Sequence, residues 1–347
     1  MNAQIALILG QDGITNGAVY ALLALSILLV FTVTRVLFIP QGEFVAFGAL
    51  TMAALQAGTP TRLVWVLAGF AVAEFVADAI ALRRRTGKLR VRVRMWLKLV
   101  YPFALAALLY TLPLASLPML VRALLALAIL VPIGPQIYRL FFQPIASAST
   151  LVLLIVSIAV HLALVGLGLL VFGAEGARTE AFSDVTFPIG PVNISSQAIC
   201  VVVVSLLLIV VLYGFFERSM YGKALRAAAF NRLGARLMGI SPIFAGKATF
   251  FLAAVIGTVS GILIAPITTI YFDSGFLISL KGFVGSIIGG LVSYPVAAAG
   301  ALLVGLIEAF SAFWASAYKD IIVFTLIIPV LVWRSLKSHH VEEEDEE

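Results

Sequence analysis

Residues 199–216 read ICVVVVSLLLIVVLYGFF, eighteen in a row without a charge, closed by Glu217 and Arg218. The run has neither the alternation of a half-buried strand nor the single apolar stripe of a surface helix. It approaches the roughly 20 residues that a helix needs to cross about 30 Å of hydrocarbon. Working outward, ATFFLAAVIGTVSGILIAPITTI at 248–270 repeats the pattern, and 62% of the 347 residues are hydrophobic against 12% charged. Lipid offers no hydrogen bonds, so a spanning backbone must satisfy itself as a helix or a closed barrel, and continuous apolar runs exclude the barrel. The expectation is an all-α polytopic bundle of about eleven hydrophobic segments. They lie near 14–34, 43–58, 63–82, 99–117, 118–136, 151–172, 199–216, 248–270, 276–293, 296–314 and 321–336.

Charge sets the orientation. The first segment follows Asp12 and no Lys or Arg precedes Arg35, so it lacks the basic region of a signal peptide and reads as a retained span with its N-terminus outside. Segments 35–42, 83–98, 137–150, 217–247 and the tail from Arg334 then become cytoplasmic. They collect most of the cations, while the other side holds Arg62, Arg178, Lys319 and Lys281 and a loop, 173–198, with Glu175, Glu180 and Asp184. This bias accounts for the net charge of +6 without nucleic acid. The last residues, 338–347, are an acidic solvated tail.

The sequence argues against an enzyme. It has no H-E-x-x-H, and His161, the one histidine before the tail, reads as a packing residue, so no catalytic or metal site is expected. Cys200 stands alone and can form no internal disulfide. Glu43, Glu74, Asp78 and Glu308 read as helix-end or pairing acids, with Glu74 and Asp78 close to Arg83–Arg85. An ion-coupled secondary transporter or channel for a small polar solute is the rival class, but it calls for acids at mid-membrane and none is evident. No inverted repeat is legible either. Gly257 with Gly261, and Gly285 with Gly289, are pairs that let helices approach closely. Alternatively Gly282, Gly285, Gly289 and Gly290 break helices around a cavity.

One loop departs from this apolar background. FNRLGARLMGI, 230–240, suits a two-turn helix between an Asn231 N-cap and a left-handed Gly239. Leu233 and Leu237 share one face, Arg232 and Arg236 a neighbouring one. Such a helix can dock a partner or lie on the bilayer surface, and the residues alone leave both open.

The longer stretch YGKALRAAAFNRLGARLMGI, 221–240, resembles the cytoplasmic coupling loop of branched-chain amino acid permeases of the LivH family, subunits of ATP-binding cassette (ABC) importers. The family pattern A-x-L-x-G-I falls on Ala235, Leu237, Gly239 and Ile240. NGAVYALLAL (16–25) is similar to the family's opening span, FIPQGEF (38–44) sits where members read N-F-A-H-G-E, and 280–324 follows the last third, with Pro295, Glu308 and Tyr318-Lys319-Asp320. Residues 83–137 look like an insertion, a basic linker with two extra hydrophobic segments.

The resemblance implies a single transmembrane permease domain in a bacterial inner membrane, importing branched-chain or other hydrophobic amino acids. It implies a second permease subunit, two cytoplasmic ATPase subunits and a periplasmic substrate-binding protein. It places coupling at Asn231, Arg232, Leu233, Ala235, Arg236, Leu237 and Gly239 within the loop 217–247. The translocation path is expected at Asn16, Gln41 and Glu43, polar groups beside glycines in the matching N-terminal motifs. ATP belongs on the partner subunits and no cofactor on this chain, since no Gly-Lys pair here has the glycine five residues upstream that a P-loop requires.

Overall fold

A computed structural model describes residues 3–86, 93–183, 185–189, 192–291 and 293–337. The acidic tail and residues 87–92 of the basic linker lie outside the described residues. Each expected hydrophobic segment holds a helix. Eight of the described helices are long and apolar enough to cross a membrane, so the chain is a multi-pass helical membrane protein.

In chain order the first helices are α1 (Ala3–Thr34), α2 (Gln41–Gln56), α3 (Leu63–Thr86) and α4 (Val93–Thr111). Next come α5 (Met119–Leu130) and α6 (Ile133–Ile137), which run through a π-helical turn at Tyr138–Phe142, and α7 (Thr150–Phe172). A small antiparallel ribbon, β1 (Thr186–Ile189) and β2 (Val192–Ser195), leads into α8 (Ser196–Arg218), α9 (Met220–Phe230) and α10 (Arg232–Leu237). The last third is α11 (Pro242–Ile264), α12 (Ser274–Ile288), α13 (Tyr294–Trp314), α14 (Lys319–Thr325) and α15 (Ile327–Lys337).

The centre is α1, wrapped by α8, α11, α12 and α13. It can be central because its glycines admit another backbone: a Cβ on Gly13 or Gly17 would meet the backbone of Leu306 or Leu302 on α13, running the opposite way. Gly285 and Gly289 do the same against Ala301 and Ala297, and Gly257 and Gly261 against α2. Both glycine pairs therefore serve close packing. The chain breaks later, at Gly290 (φ 68°) and Leu291 (φ 57°).

Both α2 and α12 are too short to span. α2 has 16 residues and α12 has 15, which at 1.5 Å per residue gives about 22–24 Å. α1 leads to α2 through a non-helical return at 35–40, and α11 leads to α12 through another at 265–273. The N-termini of α2 and α12 meet: a Cβ on Gly42 would overlap the carbonyl of Gly275, and one on Gly275 the carbonyl of Gly42. From that point they diverge. α2 follows α11, with Gln41 beside Gly257 and Val45 beside Gly261, while α12 follows α1, with Gly282 at Leu23 and the Ser286 hydroxyl donating to the Ala24 carbonyl (2.9 Å). The end of α1 lies beside the start of α11, so α1 with α2 and α11 with α12 are two copies of one motif in opposite senses. The inverted repeat that the sequence conceals is in the backbone.

Candidate functional site

The meeting point of α2 and α12 is built by the two returns. Phe38, 1% exposed, fixes the first, packing its ring 4.7 Å from Phe250 and 6.1 Å from Phe142. The Ile39 amide donates to Ser157 Oγ (3.0 Å), an outlet for a backbone group that lipid could not satisfy. Arg178 Nε donates to the Pro266 carbonyl (2.8 Å) and holds the second return.

Gln41 and Glu43 stand in the first turn of α2. The Gln41 amide donates to the Ala253 carbonyl (3.0 Å), while its own oxygen is buried and has no hydrogen-bond partner among the described residues. Glu43 is 1% exposed, and His161 of α7 brings Nδ1 to 2.9 Å from its Oε1. The two stand at ion-pair distance with angles that do not make a hydrogen bond, so both carboxylate oxygens lack a hydrogen-bond partner among the described residues. The N-terminus of α2 favours negative charge there. His161 stacks at 5.0 Å on Phe276 of α12, so the pair ties α2, α7 and α12 together. The space beside Glu43 is only about 10 Å³, walled by Phe47, Phe70, Ile133 and Leu164, so this conformation is closed there. On the other side of Phe276 lies a cavity of about 240 Å³, lined by Ile27, Phe38, Leu154, Leu280 and Phe283 with Ser279.

A second charged cluster was not legible in the sequence. Lys281, expected on the outer side, is buried on α12 and pairs with Glu308 Oε1 (2.5 Å) and Asp320 Oδ1 (3.1 Å). The Tyr20 hydroxyl donates to Glu308 Oε2 (2.7 Å). A lysine inside an apolar run was the available signal, because a buried cation demands a partner. Glu43, at the helix end of α2, and Glu308 are thus buried pairing acids, and His161 is the partner of Glu43. Glu74 and Asp78 do pair, but with Lys98, Lys247 and Arg139. Asn16 lies half-buried on α1.

The loop 217–247 has the expected local form around α10. Asn231 Oδ1 accepts from the Gly234 amide (2.8 Å), Gly239 has φ 82°, and the Ile240 amide closes back onto the Ala235 carbonyl (2.9 Å). Between these caps Ala235 is 6% exposed and packs with Leu29, Val33, Leu225, Ala228 and Ala245 in a small core of its own. Leu233 and Leu237 point away, 69% and 79% exposed, with Met238 and Phe230 bare beside them. Arg236 is exposed, and the Arg232 side chain lies outside what is described. A cavity of about 230 Å³ separates α10 from Tyr138 and Ala146 behind it.

A family model for the branched-chain amino acid transport system / permease component matches residues 99–331. Over 241 residues the chain is 31% identical to the high-affinity branched-chain amino acid transport system permease protein BraD of Pseudomonas aeruginosa, covering 67% of this chain and 78% of that protein. It is 24% identical over 333 residues to the corresponding permease protein LivH of Escherichia coli K12, covering 92% and 91%. No solved structure matches. The family match takes in the capped α10, the half-helix α12 and the helix that carries His161 to Glu43, and on these matches the chain belongs to the branched-chain amino acid transport permease family.

Proposed function

We propose that this chain is the permease subunit of an ABC importer that moves branched-chain or other hydrophobic amino acids across a bacterial inner membrane. It works with a second permease subunit, two ATPases that bind the ATP, and a periplasmic binding protein. The observation that carries the reading is α10, a short helix capped at both ends whose inner face is anchored and whose outer face is bare leucine. A solvated loop has no need of two exposed leucines on one face; a docking surface does.

The anchor gives the mechanism. Ala235 sits among Leu29 and Val33 at the end of α1 and Ala245 at the start of α11. These are the two helices whose returns carry α2 and α12. A partner pulling on α10 therefore moves both ends of the inverted pair and shifts the Gly42–Gly275 crossing, opening the space that is closed beside Glu43. The apolar cavity at Phe276 supports a hydrophobic cargo. Gln41 and Glu43 line the gate in this reading. Asn16 of α1 is the third residue of the path in this reading.

Burying one leucine is worth about 1.5–3 kcal/mol. Replacing Leu233 and Leu237 together by alanine is expected to weaken ATPase association by roughly two to four powers of ten. Arg236→Ala should matter much less, and mainly at low salt. Co-purification of the ATPase with the inserted, monodisperse double variant is the measurement. Full retention of the ATPase sinks the coupling role and leaves α10 a membrane-surface helix.

A further inference from the structure

An open groove of about 790 Å³ runs down the bundle between α3, α4 and α7. Its floor on α3 is one helix face, Val66, Gly69, Phe70 and Ala73, and its far wall is Leu167 and Leu170. Arg62 and Trp65 stand at the head of that face. From Arg62 to Ala73 the floor is eleven residues long, about 16 Å at 1.5 Å per residue, half of a hydrocarbon thickness of about 30 Å. The groove is one leaflet deep.

Its polar groups are all at one end. Arg62 is exposed, and among the described residues no carboxylate pairs with it. Trp65 donates its indole N–H to the Tyr110 hydroxyl (3.4 Å), and both rings are about half exposed. Paired Trp and Tyr beside a snorkelling Arg mark the headgroup level of a bilayer. That end is opposite α10, because the other end of α3 carries Glu74 and Asp78 into the ion pairs with Lys247 and Arg139. Water gains nothing from the apolar floor, and a purely apolar occupant would leave the guanidinium without a counter-charge.

We propose that the groove binds a glycerophospholipid with an anionic headgroup, its acyl chain along Val66–Ala73 and its phosphate on Arg62. Arg suits this task because its planar fork matches phosphate oxygens. Gly69 leaves the floor open: nothing lies within 4 Å of where its Cβ would be. A larger residue there fills the groove and meets no protein atom at its Cβ.

The test is native mass spectrometry of the full chain with dioleoyl phosphatidylglycerol or dioleoyl phosphatidylcholine added. The parent should retain phosphatidylglycerol in preference to phosphatidylcholine. Arg62→Gln should lower retention of the anionic lipid about fivefold, the worth of one basic residue near a lipid surface, and Gly69→Leu should abolish retention of both. Equal retention of the two lipids by the parent overturns the charge recognition. Undiminished phosphatidylglycerol on a monodisperse Gly69→Leu variant overturns the site. If that variant instead loses the second permease subunit, the groove is a protein interface and the proposal fails.

Discussion

The two half-helices each carry a buried charge, and they treat it differently. On α12, Lys281 bonds Glu308, whose far oxygen takes a hydroxyl from Tyr20, and it stands at ion-pair distance from Asp320, whose Oδ1 has no hydrogen-bond partner among the described residues. On α2, Glu43 has one histidine at ion-pair distance and two oxygens without hydrogen bonds among the described residues. In a low-dielectric interior a satisfied network rigidifies, whereas an under-satisfied group costs free energy and gains whenever the surroundings rearrange. The difference teaches which half-helix is the fixed one. Lys281 clamps α12 to α13 and α14; Glu43 leaves α2 ready to shift.

The contrast breaks first at Lys281. Lys281→Met leaves Glu308 and Asp320 without their cation, and removal of one partner from a buried pair costs about 3–5 kcal/mol. Unfolding in detergent should show a loss of that order, largely recovered when Glu308→Leu is added. If the single variant unfolds like the parent, α12 is not clamped and the comparison collapses.

A smaller effect is expected where the half-helices touch. Gly42→Ala forces the two backbones apart, an overpacking of about 1–3 kcal/mol, and should slow uptake as well. Gly214→Ala, whose Cβ enters open space on α8, is the matched control and should leave both readings unchanged. Equal behaviour of the two variants would mean that the crossing is loose.

The smallest change in stability belongs to Glu43. Glu43→Gln removes a charge that has few partners, so stability should move by less than about 1 kcal/mol, the scale of one net hydrogen bond, while uptake falls. Asn16→Ala should slow uptake as well. Uptake at the parental rate in Glu43→Gln would make Glu43 a packing group and erase the distinction between α2 and α12.

What was legible beforehand follows from range in the chain. Run length and charge located the helices, and the caps of α10 could be read from Asn231 and Gly239 because capping is settled within a few residues. The glycine pairs announced close packing for the same reason. Partners distant in the sequence left no local trace: nothing around Gly42 names Gly275, nothing around His161 names Glu43, and Glu74 was assigned the nearby arginines when its partners are Lys98 and Lys247. The inverted motif escaped because it is a relation between backbone paths, shared by α1–α2 and α11–α12 whose side chains differ.

The short α2 has a consequence for how the protein is made. At about 24 Å it cannot settle as an independent span, and the surface that receives its first turn, at Gly257 and Gly275, is synthesised more than two hundred residues later. At about 5–20 residues per second the ribosome takes roughly ten to fifty seconds to supply it. During that interval Glu43 and the amides of residues 36–39 wait beside an unfinished bundle. The insertion machinery must keep α2 in a wet or protein-lined place until α11 arrives, and a chain stalled before residue 242 should expose α2 to proteolysis that the completed protein resists.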